Sequence, residues 1–289
     1  MSPWIPYYEP PVQVLNIPEL AAYQVNILVR REDMNHPFVS GNKWWKLKYN
    51  LLEAFQNNCD TVLTFGGAYS NHIYATAAAC NELKLKSIGV IRGEEIRPLN
   101  ATLAFAERCG MKFHFVSRED YRKKNDPAFL SLLEEKFSRC FVIPEGGTNV
   151  LAVRGTEGFG NELKKIEFDY LCLPVGTGGT IAGIIKAFEG KRKIIGIPVL
   201  KDGGFLKDEI QKFLPSEIGN WELMLDYHHG GYAKTTPQLD AFIHGLKHYE
   251  LETERVYSGK LFWAVADLIK SGFFKKGSTV LVLHTGGLR

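Results

Sequence analysis

Short apolar runs alternate along the chain with longer stretches whose apolar positions recur at helical spacing. The runs fall at 26–29, 61–65, 87–91, 112–116, 140–143, 170–173, 193–197 and 279–283. Between most of them lie segments of helical length and period, such as 44–57, 71–83, 101–109 and 179–188. Near-continuous apolar strands separated by helices predict parallel sheet covered on both faces. The class expected is therefore α/β. The charged stretch 118–127 reads as a surface loop or a helix start.

Four of the expected strands run straight into glycines. The four are Thr64-Phe-Gly-Gly-Ala-Tyr-Ser-Asn, Ile143-Pro-Glu-Gly-Gly-Thr-Asn, Pro174-Val-Gly-Thr-Gly-Gly-Thr and Leu283-His-Thr-Gly-Gly. Open α/β sheets bind ligands beyond the carboxyl ends of their strands, and glycine lets the backbone approach a ligand closely. Any one pair of glycines could simply make a turn. Four of them point to one crowded site.

Composition narrows the classes. The chain has 289 residues, 45% hydrophobic and 23% charged, with a net charge of only +3. That is a globular mix. Its strongest basic run, 118–124, contains Glu119 and Asp120, which argues against a nucleic-acid surface. The five cysteines (Cys59, Cys80, Cys109, Cys140, Cys172) form no CxxC pair. This is reduced, cytoplasmic usage and not a zinc site or disulfide framework. Cys80, Cys140 and Cys172 sit in apolar surroundings and are expected in the core. No apolar run approaches the roughly 20 residues of a membrane helix, and the N-terminus carries no signal-peptide pattern.

Three segments carry chemistry. Gly176-Thr177-Gly178-Gly179-Thr180 follows an apolar strand and opens an amphipathic helix. Its bare amides at a helix N-terminus, with two hydroxyls, make a phosphate cradle. It lacks the Lys-Ser/Thr ending of a nucleotide P-loop. Lys43 follows the Gly41-Asn42 turn and precedes Trp44 and Trp45. A lysine desolvated in such a setting can lose its proton and become an imine-forming nucleophile, although most lysines simply lie on the surface. Ser70, Asn71 and His72 open a helix after Gly66-Gly67. Ser70 is a good N-cap, and the amides behind it suit a carboxylate.

Taken together and in this order, the Gly41-Asn42-Lys43 block, Gly66-Gly67 with Ser70-Asn71, Pro144-Glu-Gly-Gly-Thr, the 176–180 loop and Thr285-Gly-Gly resemble one family. It is that of 1-aminocyclopropane-1-carboxylate deaminase and D-cysteine desulfhydrase, within the tryptophan synthase β-like (fold type II) pyridoxal-phosphate enzymes. The resemblance runs from about Val39 to the C-terminus. It implies two open parallel-sheet α/β domains with the cofactor in the cleft between them. Residues 1–44 and 155–289 would form the large domain, with 45–154 inserted as the small one. It also implies a homodimer.

Residue by residue, the resemblance gives Lys43 the Schiff base to pyridoxal 5'-phosphate. Asn71 meets the phenolic oxygen of the cofactor ring, and Gly176, Thr177, Gly178, Gly179 and Thr180 hold the phosphate. Ser70 and the adjacent amides, with His72 beside them, take the substrate carboxylate. Tyr257, in Val256-Tyr-Ser-Gly-Lys, faces the substrate, and Tyr232, in Gly230-Gly-Tyr-Ala-Lys, lines the same pocket. Ser258 and Thr285 stand at the cofactor ring. On the residues alone, the two tyrosines could equally be half-buried packing.

Ser258 and Thr285 also separate the branches of the family. The deaminase branch typically has Glu and Leu at those positions. Opening a cyclopropane cannot start from an α-proton, so it leans on a protonated ring as electron sink, which a carboxylate would support. Hydroxyls suit β-elimination, in which Lys43 takes the α-proton and a good leaving group departs. The reading is D-cysteine desulfhydrase-type elimination to pyruvate, sulfide and ammonia, with the deaminase giving 2-oxobutanoate as the alternative. A non-catalytic phosphate-ligand-binding protein is the reading from another class. Two departures from the family bear on the substrate: Trp45 stands where members often have Arg, and the 199–219 region is short.

Overall fold

The computed structural model describes residues 4–216 and 218–288. In chain order the first half contains β1 (Val12–Val14), β2 (Asn26–Arg30), α1 (Asn42–Gln56), β3 (Thr61–Gly67), α2 (Asn71–Glu82), β4 (Lys86–Arg92), α3 (Ala101–Arg108), β5 (Met111–Val116), α4 (Arg118–Arg122) and α5 (Pro127–Lys136). Then follow β6 (Cys140–Ile143), α6 (Val150–Leu163), β7 (Tyr170–Val175), α7 (Gly179–Phe188), β8 (Lys193–Pro198), α8 (Leu206–Gln211), β9 (Trp221–Leu223), α9 (Pro237–Leu246), α10 (Ser258–Lys270) and β10 (Thr279–Leu283).

The chain divides into two compact units. The first comprises residues 4–7, 36–39 and 43–155; the second comprises 8–35, 40–42 and 156–288. The segments 4–7 and 36–39 thus join the first unit, and their contacts say why. Tyr7 packs on Trp44 and Trp45, Phe38 on Phe105, and His36 pairs with Glu82 at 3.3 Å.

The first unit holds a four-stranded sheet in the order β5-β4-β3-β6, and every neighbouring pair is parallel. Its strands alternate between two buried faces, as parallel sheet requires. Leu63, Phe65, Ile88 and Val90 form one core cluster with Tyr121 and Leu133 from α4 and α5. Ile91 and Met111 join the other, with Ile73 and Ala77 of α2 and Leu103 and Ala106 of α3. The 118–127 stretch resolves into α4 and the start of α5, capped by Ser117 and Asp126.

The second unit holds a six-stranded sheet in the order β1-β2-β10-β7-β8-β9. Only the β1–β2 pair is antiparallel. Its core joins Val280 and Val282 of β10, Cys172 of β7 and Ile195 and Ile197 of β8 to Leu261, Val265 and Leu268 of α10. Cys80 and Cys172 are buried as expected. Cys140 is only half-buried, because β6 is the edge strand of its sheet.

The glycine loops follow from this topology. In the first unit the loops after β3 and β6 leave neighbouring parallel strands, and so emerge at one sheet edge. In the second unit the loops after β7 and β10 do the same.

Candidate active site

In the second unit, the turn leading to Lys43 is locked by side chains that carry no reactive chemistry. The side chain of Asn35, fully buried, accepts from Gly41 N at 2.8 Å and donates to Gly41 O at 3.0 Å. Asn35 is held in turn by Glu32 Oε1 at 3.0 Å. Gly41 has φ +69°, and a Cβ there would sit 1.9 Å from the Thr285 carbonyl oxygen. Both facts exclude any other residue at this position. The Asn42 backbone N–H donates to the Thr285 carbonyl at 3.3 Å, and its side-chain amide donates to Thr180 Oγ1 at 2.8 Å. The residue immediately before Lys43 is therefore tied to the 176–180 loop and to the 285–286 loop.

The 176–180 loop continues β7 into α7. Gly178 caps the helix at φ +81°, and a Cβ on it would meet Ile210 at 2.9 Å. On Gly176 a Cβ would approach the Tyr257 ring to 3.1 Å and its hydroxyl to 3.3 Å. Glycine keeps this cradle bare, so the first-turn amides of α7 can face an anion. Thr177 is exposed and Thr180 is buried. The residues fit a phosphate group.

Around Tyr257 the structure adds a residue the sequence did not flag. Glu254 caps α10: one carboxylate oxygen accepts from the N–H groups of Tyr257 and Ser258 at 2.7 Å each, the other from Val256 N at 2.6 Å. The fully buried Ser258 hydroxyl accepts from Glu254 N at 2.9 Å and donates to its carboxylate at 3.2 Å. The structure thus engages the Ser258 side chain in the helix cap. Thr285 is buried, with its carbonyl on Asn42. Tyr232 is 42% exposed, and its ring meets that of Tyr257 edge-on at 6.1 Å.

In the first unit, Ser70 is the N-cap of α2, accepting from His72 N at 3.2 Å and Ile73 N at 3.3 Å. Gly66 allows this approach, since a Cβ there would lie 2.8 Å from the Ser70 side chain. Asn71 begins the helix, half-buried. The His72 ring turns inward and is 1% exposed. Thr64 Oγ1 donates to the Ile143 carbonyl at 2.8 Å, so its 2.8 Å contact with His72 Nε2 must take a hydrogen from the ring. Nε2 then carries the proton, and the buried Nδ1 has no hydrogen-bond partner. Burial, with the charges of Lys43 and Lys46 added, pushes the imidazole well below its usual range and keeps it neutral. A Cβ on Gly147 would lie 2.9 Å from this ring, which is why the 144–148 loop carries glycine there.

Lys46 is the second residue that sequence reading missed. It is 2% exposed, and its Nζ donates to the Gly146 carbonyl and, at 2.9 Å, to Thr148 Oγ1. Burial first and the Lys43 charge second hold its ammonium well below the ordinary lysine range. The signal was its position three residues after Lys43 on α1, one helical turn along the same face. Lys43 itself is half-buried.

In the second unit a locked turn leads to a half-buried lysine and a bare glycine loop opens a helix, and in the first a Ser-Asn pair caps a helix; each is a feature that a pyridoxal-phosphate enzyme needs. Comparison with known proteins agrees. A family profile described as pyridoxal-phosphate dependent enzyme matches residues 5–286. The Arabidopsis thaliana mitochondrial protein named bifunctional D-cysteine desulfhydrase/1-aminocyclopropane-1-carboxylate deaminase is 31% identical, over 96% of this chain and 76% of its own length. The 1-aminocyclopropane-1-carboxylate deaminase of Rhizobium leguminosarum bv. viciae is 28% identical, over 96% of this chain and 91% of its own. A crystal structure described as an ACC deaminase homologue matches with a TM-score of 0.82 at 26% identity, covering 97% of this chain and 90% of that one. The chain belongs to the pyridoxal-phosphate dependent enzymes of fold type II, in the family of 1-aminocyclopropane-1-carboxylate deaminase and D-cysteine desulfhydrase. Among the described residues, no helix is long and apolar enough to cross a membrane.

Proposed function

We propose that this enzyme removes sulfide from D-cysteine by α,β-elimination, giving pyruvate, sulfide and ammonia. The observation that carries the reading is the cap of α10. The position after Tyr257 brings a hydroxyl and no carboxylate, and the acid nearest to it, Glu254, has both oxygens engaged by the first-turn amides. Neither side chain is then available to hold a proton on a pyridine nitrogen, and Thr285 adds only a hydroxyl. Elimination from a substrate with an α-proton and a thiol leaving group makes the smaller demand on that nitrogen.

Pyridoxal phosphate, when bound, supplies the electron sink for a negative charge at the substrate Cα. The protein residues do the rest. Lys43 would hold the cofactor through its amine and, once the substrate's amine has displaced it, would be free to take the Cα proton. Gly176 to Thr180 would bind the phosphate at the start of α7, and Asn71 would donate to the ring's phenolic oxygen. The Ser70 hydroxyl, which accepts from the α2 amides, can donate its hydrogen to the substrate carboxylate. His72, bound inward to Thr64, sets this turn from behind. Tyr257 and Tyr232 face the amino acid's side chain and shield the departing sulfur.

The test is a parallel assay of the purified, cofactor-loaded enzyme with D-cysteine and with 1-aminocyclopropane-1-carboxylate. Sulfide and pyruvate release should exceed 2-oxobutanoate release at equal substrate. Faster 2-oxobutanoate release overturns the elimination reading in favour of ring opening, the activity in the Rhizobium relative's name.

A further inference from the structure

Lys260 stands immediately before the apolar run 261–266 of α10, and the structure buries it completely. A fully buried ammonium is costly unless something fixed receives it. Here the receiver is the carbonyl of Gly231, at 2.7 Å. Gly231 lies in an unusual turn: His229, Gly230, Gly231 and Ala233 all have positive φ, at 49°, 93°, 114° and 57°. Two of these are not glycine, and such residues hold a left-handed conformation only where their surroundings impose it.

Within the turn Gly230 N donates to His228 Nδ1 at 2.9 Å, and the His229 ring meets Thr236 Oγ1 at 3.3 Å. Gly231 N donates to the His228 carbonyl at 3.0 Å, and Lys234 N to the Gly231 carbonyl at 3.1 Å. The Gly231 carbonyl is therefore already satisfied without Lys260. What the ammonium adds is a fixed anchor on rigid α10, one turn along from Tyr257. The next residue after Gly231 is Tyr232, whose ring meets Tyr257 edge-on, and Tyr257 in turn packs against Gly176.

We propose that Lys260 is a positioning residue: its ammonium pins the Gly231 carbonyl and so fixes the 228–234 turn that sets Tyr232 against Tyr257. Its consequence for catalysis rests on the reading above that these tyrosines face the substrate. Glu254 lies close enough to favour the ammonium electrostatically, but the hydrogen bond that Lys260 makes goes to the turn.

The experiment compares cofactor-loaded wild type with Lys260→Met, Lys260→Arg and Tyr232→Ala. Three quantities are read: backbone hydrogen exchange over 228–236, kcat and KM for D-cysteine, and the cofactor's visible absorbance. Loss of one charged hydrogen bond predicts roughly tenfold faster exchange in the turn of Lys260→Met and a KM raised about tenfold, with kcat and absorbance nearly unchanged. Lys260→Arg, which keeps a cation, should recover part of both effects, and it carries the test if Lys260→Met does not fold. Tyr232→Ala should raise KM with little change in exchange outside its own amide. Unchanged exchange in Lys260→Met overturns the inference whatever the KM. Faster exchange with KM unchanged in both Lys260→Met and Tyr232→Ala keeps the anchor but removes the tyrosines from the substrate site. The exchange arm reads the anchor even if D-cysteine proves not to be turned over.

Discussion

Each unit of the molecule has one buried lysine whose ammonium holds a carbonyl in a glycine-glycine turn. In the first unit Lys46 holds Gly146, and in the second Lys260 holds Gly231. Their surroundings differ. Lys46 has a second acceptor in Thr148 but sits beside another cation, Lys43. Lys260 has one acceptor and feels the carboxylate of Glu254. Burial lowers the proton affinity of both. The like charge of Lys43 adds to the fall at Lys46, whereas at Lys260, which burial lowers to about 8, the carboxylate of Glu254 works against the fall. In both lysines burial is the larger cause; the sign of the neighbouring charge decides only whether it is added to or opposed.

The comparison breaks most readily at Lys46. Removing its side chain takes away the donor shared by Gly146 and Thr148 and leaves a gap in its place, so Lys46→Ala should cost about 3 kcal/mol of unfolding free energy. Lys46→Met fills the gap and relieves a buried charge, and should cost about half as much. Denaturant titration of both variants checks the order; a milder Lys46→Ala would mean the loop is held without the lysine.

The pH dependence sharpens it. Both lysines have folded-state proton affinities below their unfolded value near 10.5. In that range the unfolded chain binds protons that the folded chain has given up, so stability rises with pH. For Lys260 the window runs from about 8 to 10.5. Melting curves across it should show a smaller rise in Lys260→Met than in wild type. An identical rise in the two would contradict the assigned shift.

At the acid end the first unit has its own sensor. His72 is held neutral by burial, so below its ordinary value of 6.5 the unfolded chain gains a proton that the folded chain refuses. Stability should fall as pH drops through 6.5, and His72→Gln should fall less steeply in thermal melts from pH 7 to 5. The smallest effect expected is at Ser258. Its hydroxyl completes the α10 cap, and Ser258→Ala should cost about 1 kcal/mol. The cofactor's absorbance should stay where it is; a spectral shift would return Ser258 to the cofactor ring.

What could be read from the sequence follows the same physics. Eight strands were legible because buried parallel strands are continuous apolar runs. The two that were missed, β1 and β9, are three-residue strands at the sheet edges, too short to show a pattern. The glycine loops, Ser70 and Lys43 were legible because each obeys a local rule of turn or cap. Lys46 and Lys260 were not, since lysine is expected at the surface and only the fold supplies their carbonyl partners. A lone charge at the start of an apolar helix was the available clue for Lys260. The Asn35 lock on Gly41 joins residues six apart through side-chain geometry, which no periodicity reports. Ser258 was read from the resemblance as a residue at the cofactor ring; in the structure Glu254 engages its hydroxyl in the cap.

Lys46 and Lys260 are the more deeply buried lysines, yet the account gives the covalent chemistry to the half-buried Lys43. Borohydride reduction of the cofactor-loaded enzyme followed by peptide mapping tests this directly. The account predicts a pyridoxyl label on Lys43, next to the Asn42 that Thr180 holds. A label on Lys46 or Lys260 would contradict it.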